Sequence, residues 1–176
     1  MDYINHLRSM VGNEKVIMVT AVGIVFDKSN RILLQKRSDN GQWGFPGGFM
    51  DLGENILETA RRETLEETGL KLGGLELFGI YSGPQYDKTF SNGDQVSLVL
   101  ISFICKEYTG NLVGSNEESL KNEFYPLNKL PENIFSEHRM LVDDLLSKKT
   151  TTDYGVVMLC LRNICGMLWM KKSGNR

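Results

Sequence analysis

Cysteine, proline and histidine are scarce in this sequence, and neither sign of charge is in excess. Only three cysteines, Cys105, Cys160 and Cys165, occur in 176 residues. They form no paired C-x-x-C motifs, which excludes a disulfide framework or a cysteine-rich zinc site. The two histidines, His6 and His138, stand alone without ligand spacing, and both are expected on the surface. Four prolines and 18 glycines stay below the level of low-complexity sequence. Residues 1–10 show no secretory leader pattern, and with so few cysteines this predicts a reducing cytoplasm. Twenty basic residues against 22 acidic ones leave a net charge of −2. No global field exists to hold a polyanion, so duplex nucleic acid is not expected as a partner. A phosphate-bearing ligand would need local basic groups or metal ions.

What is present suits a folded domain of ordinary size: 41% hydrophobic and 24% charged residues. Tyr3, Ile4, Leu7, Met10 and Val11 recur at helical spacing, so residues 1–15 read as an amphipathic helical segment. Val16 to Phe26 is β-branched and apolar, and Arg31 to Arg37 follows as a second strand after Asp27-Lys28-Ser29-Asn30, which predicts a hairpin. A helix is expected from about Asn55 to Thr68, ended by Gly69. Two strands come next, Leu75 to Ser82 and Gln95 to Lys106, with a long loop between them. Then come an acidic loop at Asn116 to Leu120, a short strand at Glu123 to Pro126 and a helix at Ser136 to Leu146. Strands and helices mix without β-α-β alternation, so the fold class is α+β, a sandwich around a mixed sheet spanning residues 16–148. Residues 149–176 form an apolar tail. Gly155 to Met170 as a helix would reach only about 24 Å, with Arg162 in its middle, so membrane spanning is not expected. Packing on the body or across a homodimer is.

The helix carries an unusual cluster. At 100° per residue, Leu57, Ala60, Thr64 and Thr68 share a narrow packing arc. Glu63, Glu66 and Glu67 share another, where like charges repel by a few tenths of a kcal/mol per pair. Glu66 and Glu67 also lie in the last turn, where the helix dipole disfavours negative charge. A hard divalent cation would relieve both penalties. Before the helix, Gly47-Gly48 lets the backbone approach a ligand, Gly53 turns the chain, and Glu54 sits where its charge suits the dipole.

Taken together, Gly48, Glu54 and the run Arg62-Glu63-Thr64-Leu65-Glu66-Glu67-Thr68-Gly69-Leu70 resemble the Nudix box. The 23-residue signature runs from Gly48 to Leu70 without a gap, and its fixed positions Gly48, Glu54, Arg62, Glu63, Glu66, Glu67 and Gly69 all match. Thr64 departs from the bulky aliphatic residue preferred there. Its hydroxyl is expected to bond the Ala60 carbonyl one turn back.

The resemblance implies a Nudix-like α/β/α sandwich and a pyrophosphohydrolase dependent on Mg²⁺ or Mn²⁺. The substrate would be a small nucleotide, a nucleoside diphosphate joined to another moiety: an ADP-ribose or ADP-sugar type, or a nucleoside triphosphate. By position, Glu63, Glu66, Glu67 and the Gly48 carbonyl would hold metal. Arg62 would orient the glutamates, Glu54 would brace the loop–helix junction, and Gly69 would end the helix. The general base would be a glutamate of the box or one on a distant loop, such as Glu117 or Glu118. Arg37 resembles a phosphate-binding arginine, while Tyr81, Tyr86 and Phe90 are candidates to stack on a base. Pro84 and Tyr86 give conflicting cues, toward ADP-ribose-type enzymes and dinucleoside polyphosphate hydrolases respectively. A nucleotide-sensing domain without catalysis and an isomerase using Cys105 are the alternatives from other classes.

Overall fold

The computed structural model describes residues 3–148. Along the chain come α1 (Tyr3–Val11), β1 (Val16–Val25), β2 (Arg31–Arg37), β3 (Trp43–Gly44), β4 (Gly47–Phe49) and α2 (Ile56–Thr68). Then follow β5 (Leu70–Leu72), β6 (Glu76–Tyr81), β7 (Asp87–Thr89), β8 (Gln95–Cys105), β9 (Tyr108–Gly110), β10 (Ser119–Pro126) and α3 (Arg139–Lys148).

From Thr20 onward β1 is buried on both faces, as a continuous apolar run requires of a central strand. It lies parallel to β8, in register from Val16↔Val96 to Val25↔Cys105, and antiparallel to β4. The sheet runs β4-β1-β8-β6, with β7 sharing the β8 edge. One face packs α2 through Ala21, Ala60 and Phe103. The other meets a second sheet, β10-β2-β3, and α3 through Met18, Val22, Leu34, Leu98 and Leu141. The first sheet thus lies between α2 on one face and the second sheet with α3 on the other. Among the described residues, no helix is long and apolar enough to cross a membrane.

The expected hairpin does not form. β1 and β2 share a single bridge, Phe26↔Ile32, and then diverge into separate sheets. Ile32, Leu33 and Leu34 are all fully buried, so β2 needs cover on both faces, and β10 rather than β1 pairs with it. The long loop after β6 is also not featureless. It holds a 3₁₀ turn, Pro84–Tyr86, and then β7, which pairs with β8 over Asp87↔Ser97 to Thr89↔Gln95. The apolar tail lies outside the described residues.

Candidate active site

Two local devices place the acidic helix. Gly47, at φ 152°, bends the chain so close to β1 that a Cβ there would stand 2.2 Å from the Ala21 carbonyl oxygen. Only glycine fits. Asn55 then caps α2: its side-chain oxygen accepts from the Leu57 and Glu58 amides, and Glu58 reaches back to the Asn55 N–H at 2.8 Å. Glu54 is therefore not the cap. At the other end Gly69 takes φ 77°, and its N–H donates to the Leu65 carbonyl at 2.8 Å.

Glu54 instead grips Arg62. Arg62 Nε donates to Glu54 Oε1 at 2.5 Å and Nη2 to Oε2 at 3.0 Å, a two-pronged pair that holds the Glu54 carboxyl down to about 2. The same guanidinium donates from Nη1 to Glu63 Oε1 at 2.8 Å and Glu66 Oε2 at 3.2 Å. Nη2 also reaches the Phe49 carbonyl at 3.0 Å, tying β4 to α2. One arginine thus joins the loop, the strand and two of the three clustered carboxylates.

Glu67 differs from its neighbours. Helical spacing groups it with Glu63 and Glu66, but Glu66 is exposed, Glu63 is half-buried, and Glu67 retains only 5% exposure. Glu67 Oε1 accepts from Gln35 Nε2 at 2.8 Å, and Oε2 accepts from the Gly47 N–H at 2.7 Å. Burial nonetheless pushes its carboxyl up to about 8, outweighing those bonds and the nearby Arg37, with Glu63 adding like-charge repulsion. Burial also raises Glu63, against the pull of Arg62. Gly48 lies directly beneath: a Cβ there would sit 2.5 Å from the Glu63 carboxyl carbon.

The residues that hold Glu67 escaped the sequence reading. Gln35 Oε1 accepts from Ser119 Oγ at 2.6 Å. Asn122, paired with Gln35 across β2 and β10, donates to the Glu67 carbonyl at 2.8 Å. Asn116 donates to the Glu66 and Glu67 carbonyls at 3.2 and 2.9 Å. These amides satisfy helix-end carbonyls that lack intrahelical partners. The one signal available was a glutamine closing the apolar run Ile32-Leu33-Leu34.

The other candidates divide. Arg37 faces this group, paired with Asp39 at 3.0 and 2.9 Å. Glu118 lies near enough to Glu63 to raise it, and Glu117 is exposed on the same loop. Phe90 is half-buried and meets Phe49 edge-on at 6.4 Å. Tyr81 and Tyr86 correct the expectation of base stacking. Both are core residues, at 8% and 2% exposure, and the Tyr81 hydroxyl donates to Asp144 at 2.9 Å. His138 is likewise buried rather than exposed, its Nδ1 accepting from the Phe45 N–H at 3.1 Å. Thr64 makes no bond to Ala60: its hydroxyl is unpaired and abuts Gly23, where a Cβ would stand 2.8 Å away. Cys105 is buried within the core, which leaves no support for the isomerase alternative.

Among the described residues, no group of three or more His, Cys, Asp or Glu stands arranged to hold a metal. In this arrangement Arg62 engages oxygens of Glu63 and Glu66, while Gln35 and Gly47 engage both of Glu67.

Residues 17–145 match the family model of the NUDIX domain. Over 126 residues the chain is 35% identical to the ADP-ribose pyrophosphatase of Methanocaldococcus jannaschii, covering 70% of each protein. It is 44% identical over 63 residues to a putative 8-oxo-dGTP diphosphatase of Bacillus subtilis, covering 36% of this chain and 42% of that one. Among solved structures it is similar to a MutT protein from Bacillus halodurans, with a TM-score of 0.60 at 28% identity over 72% of this chain and 80% of that one.

Proposed function

Because the chain belongs to the Nudix family, we propose that it hydrolyses a diphosphate bond in a nucleoside diphosphate joined to another moiety. The observation that carries this reading is the desolvated carboxylate pair, Glu67 and Glu63, over the bare Gly48 backbone. Two carboxyls pushed toward protonation by burial and by neighbouring carboxylates are a poor arrangement for stability alone. They suit a site that receives positive charge.

In donor type, though not in the present side-chain arrangement, the residues suit a hard divalent ion, Mg²⁺ or Mn²⁺. The donors are carboxylate and carbonyl oxygens, and the missing Gly48 side chain leaves its backbone open to Glu63. Glu63, Glu66, Glu67 and the Gly48 carbonyl would hold the ion. When bound it neutralises charge on the phosphate oxygens and leaving group as water attacks phosphorus.

This chain's own groups do the rest. Arg62, anchored by Glu54, sets the rotamers of Glu63 and Glu66. Gln35 and Gly47 fix both oxygens of Glu67. Arg37 supplies a guanidinium suited to two phosphate oxygens, exchanging them for the exposed Asp39. Glu117 and Glu118 are candidates to take the proton of the attacking water, as is a glutamate of the box.

Two substrate types remain in view. An ADP-ribose-type substrate draws support from the M. jannaschii relative, and a nucleoside triphosphate from the B. subtilis one. Tyr86, whose spacing points toward dinucleoside polyphosphates, is buried in the core. A panel of nucleoside triphosphates and nucleotide sugars, with products weighed by mass spectrometry, tests the reading. Mg²⁺- or Mn²⁺-dependent cleavage between phosphates is expected. Binding without cleavage across the whole panel would support the nucleotide-sensing alternative instead.

A further inference from the structure

Lys88 and Glu137 form a charged pair beside the site that the reading above does not use. Lys88 Nζ lies 2.6 Å from Glu137 Oε1, 4.2 Å from the centre of the Phe135 ring and 5.3 Å from that of Phe90. Arg37 stands over the same Phe135 ring at 5.2 Å, close enough to both Glu67 and Glu137 for each to stabilise its charge. In the other direction, Phe90 meets Phe49, whose carbonyl accepts from Arg62. Contacts therefore connect Lys88 to both halves of the acidic cluster.

The two cations differ in what they can release. Asp39 is 56% exposed, so water can replace Arg37 when the guanidinium turns to a phosphate. Glu137 is 8% exposed, and withdrawing Lys88 would strand a buried carboxylate. Lys88 thus keeps its partner and its charge is already compensated. What it offers a ligand is its remaining N–H donors, with no capacity to accept. A compensated donor flanked by aromatic rings suits a neutral carbonyl on a planar base better than another phosphate. Guanine and uracil carry a carbonyl where adenine and cytosine carry an amino group, and an amino N–H would face the ammonium N–H.

We propose that Lys88, fixed by Glu137 beside Phe90 and Phe135, reads the nucleotide base and selects those with a carbonyl at that position. The inference rests on the reading that a nucleotide occupies this site, and it favours guanosine and uridine phosphates over ADP-ribose-type substrates.

The test is kcat/KM for GTP, ATP, UTP and CTP with Mg²⁺, together with Kd for GMP and AMP. GTP should exceed ATP by at least about tenfold, and UTP should exceed CTP similarly. Lys88→Met combined with Glu137→Gln removes both charges at nearly constant volume. It should bring each ratio to within about threefold, with the loss falling on GTP and UTP and mainly in KM, because Lys88 does not touch the reacting atoms. Ratios near one in the wild type, or a preference for ATP and CTP, would overturn the proposal without any variant, even if the double variant fails to fold. Unchanged ratios in a folded double variant would overturn it too. If no nucleotide is turned over, hydrolysis is the reading that fails, and the GMP-to-AMP Kd ratio still decides this one.

Discussion

Glu67 carries the largest consequence of any single side chain. Glu67→Gln keeps an acceptor for the Gly47 N–H but turns an amide NH2 toward the donor Gln35 Nε2, so the fold should survive with a modestly lowered Tm. Activity should fall by about a hundredfold or more in kcat, since one oxygen ligand and its charge are lost together. Arg62→Ala should lower both Tm and rate, because Glu54, Glu63 and the Phe49 carbonyl lose a shared donor. Identical melting curves for Arg62→Ala and wild type would contradict its bracing role. His138 supplies a pH dependence. Burial holds its imidazole at about 4, below the ordinary 6.5, so between those values the unfolded chain binds a proton that the folded one does not. Its contribution is fully present above pH 6.5 and is lost as pH falls toward 4. Denaturant titrations of wild type and His138→Gln should diverge by about 3 kcal/mol across that window, wild type losing more on acidification.

At the scale of elements, α2 is a helix whose polar end is stabilised from outside. Its last turn has no basic residue and carries Glu66 and Glu67, yet Asn116 and Asn122 cover the terminal carbonyls. Its start rests on its own capping box. Asn55→Ala should therefore cost about 1 kcal/mol, a Tm drop of roughly 2–4 °C, with little change in kcat. A drop in kcat matching that of Glu67→Gln would show that the cap positions the carboxylates as well. The boundaries of α2 were legible in sequence because spacing and the terminal glycine are local, while its Asn55 cap was found only in the structure. Burial of Glu67 was not, since it depends on Gln35, some 32 residues away in a strand that sequence alone paired with the wrong neighbour. Tyr81 and Tyr86 reverse the error. Their chemistry suits base stacking, and only the packing of α3 against the sheet turns them into core.

For the whole molecule, the two sheets and α2 converge on one acidic site, so a cation bound there should stabilise the entire fold. Mg²⁺ or Mn²⁺ at a hundredfold excess over Kd should add about 2.7 kcal/mol, visible as a Tm rise that excess EDTA reverses along with turnover. Full turnover in EDTA would sink the metal reading. Every proposed ligand and Arg37, Lys88 and Glu137 lie between residues 37 and 137. Truncation after Lys149 should accordingly leave metal-dependent activity within about threefold and act mainly on solubility or on a homodimer, as the apolar run 155–170 predicts. A folded truncated chain with a hundredfold lower kcat would place that segment at the site.

Short-range rules were enough to locate the acidic helix, its terminal glycine and the spacing of Gly48, Glu54, Arg62 and the three glutamates. Each of these depends on residues a few positions apart, where backbone geometry is set by the chain itself. What the tertiary structure decided was which carboxylate goes dry, which aromatics are core and which cations stand near the acidic cluster. Glu67 is desolvated beside β2, Lys88 is paired to Glu137 just ahead of α3, and Phe135 packs against both Lys88 and Arg37. Those partners are dozens of residues apart, and side-chain burial is a property of the packed layers rather than of any one segment.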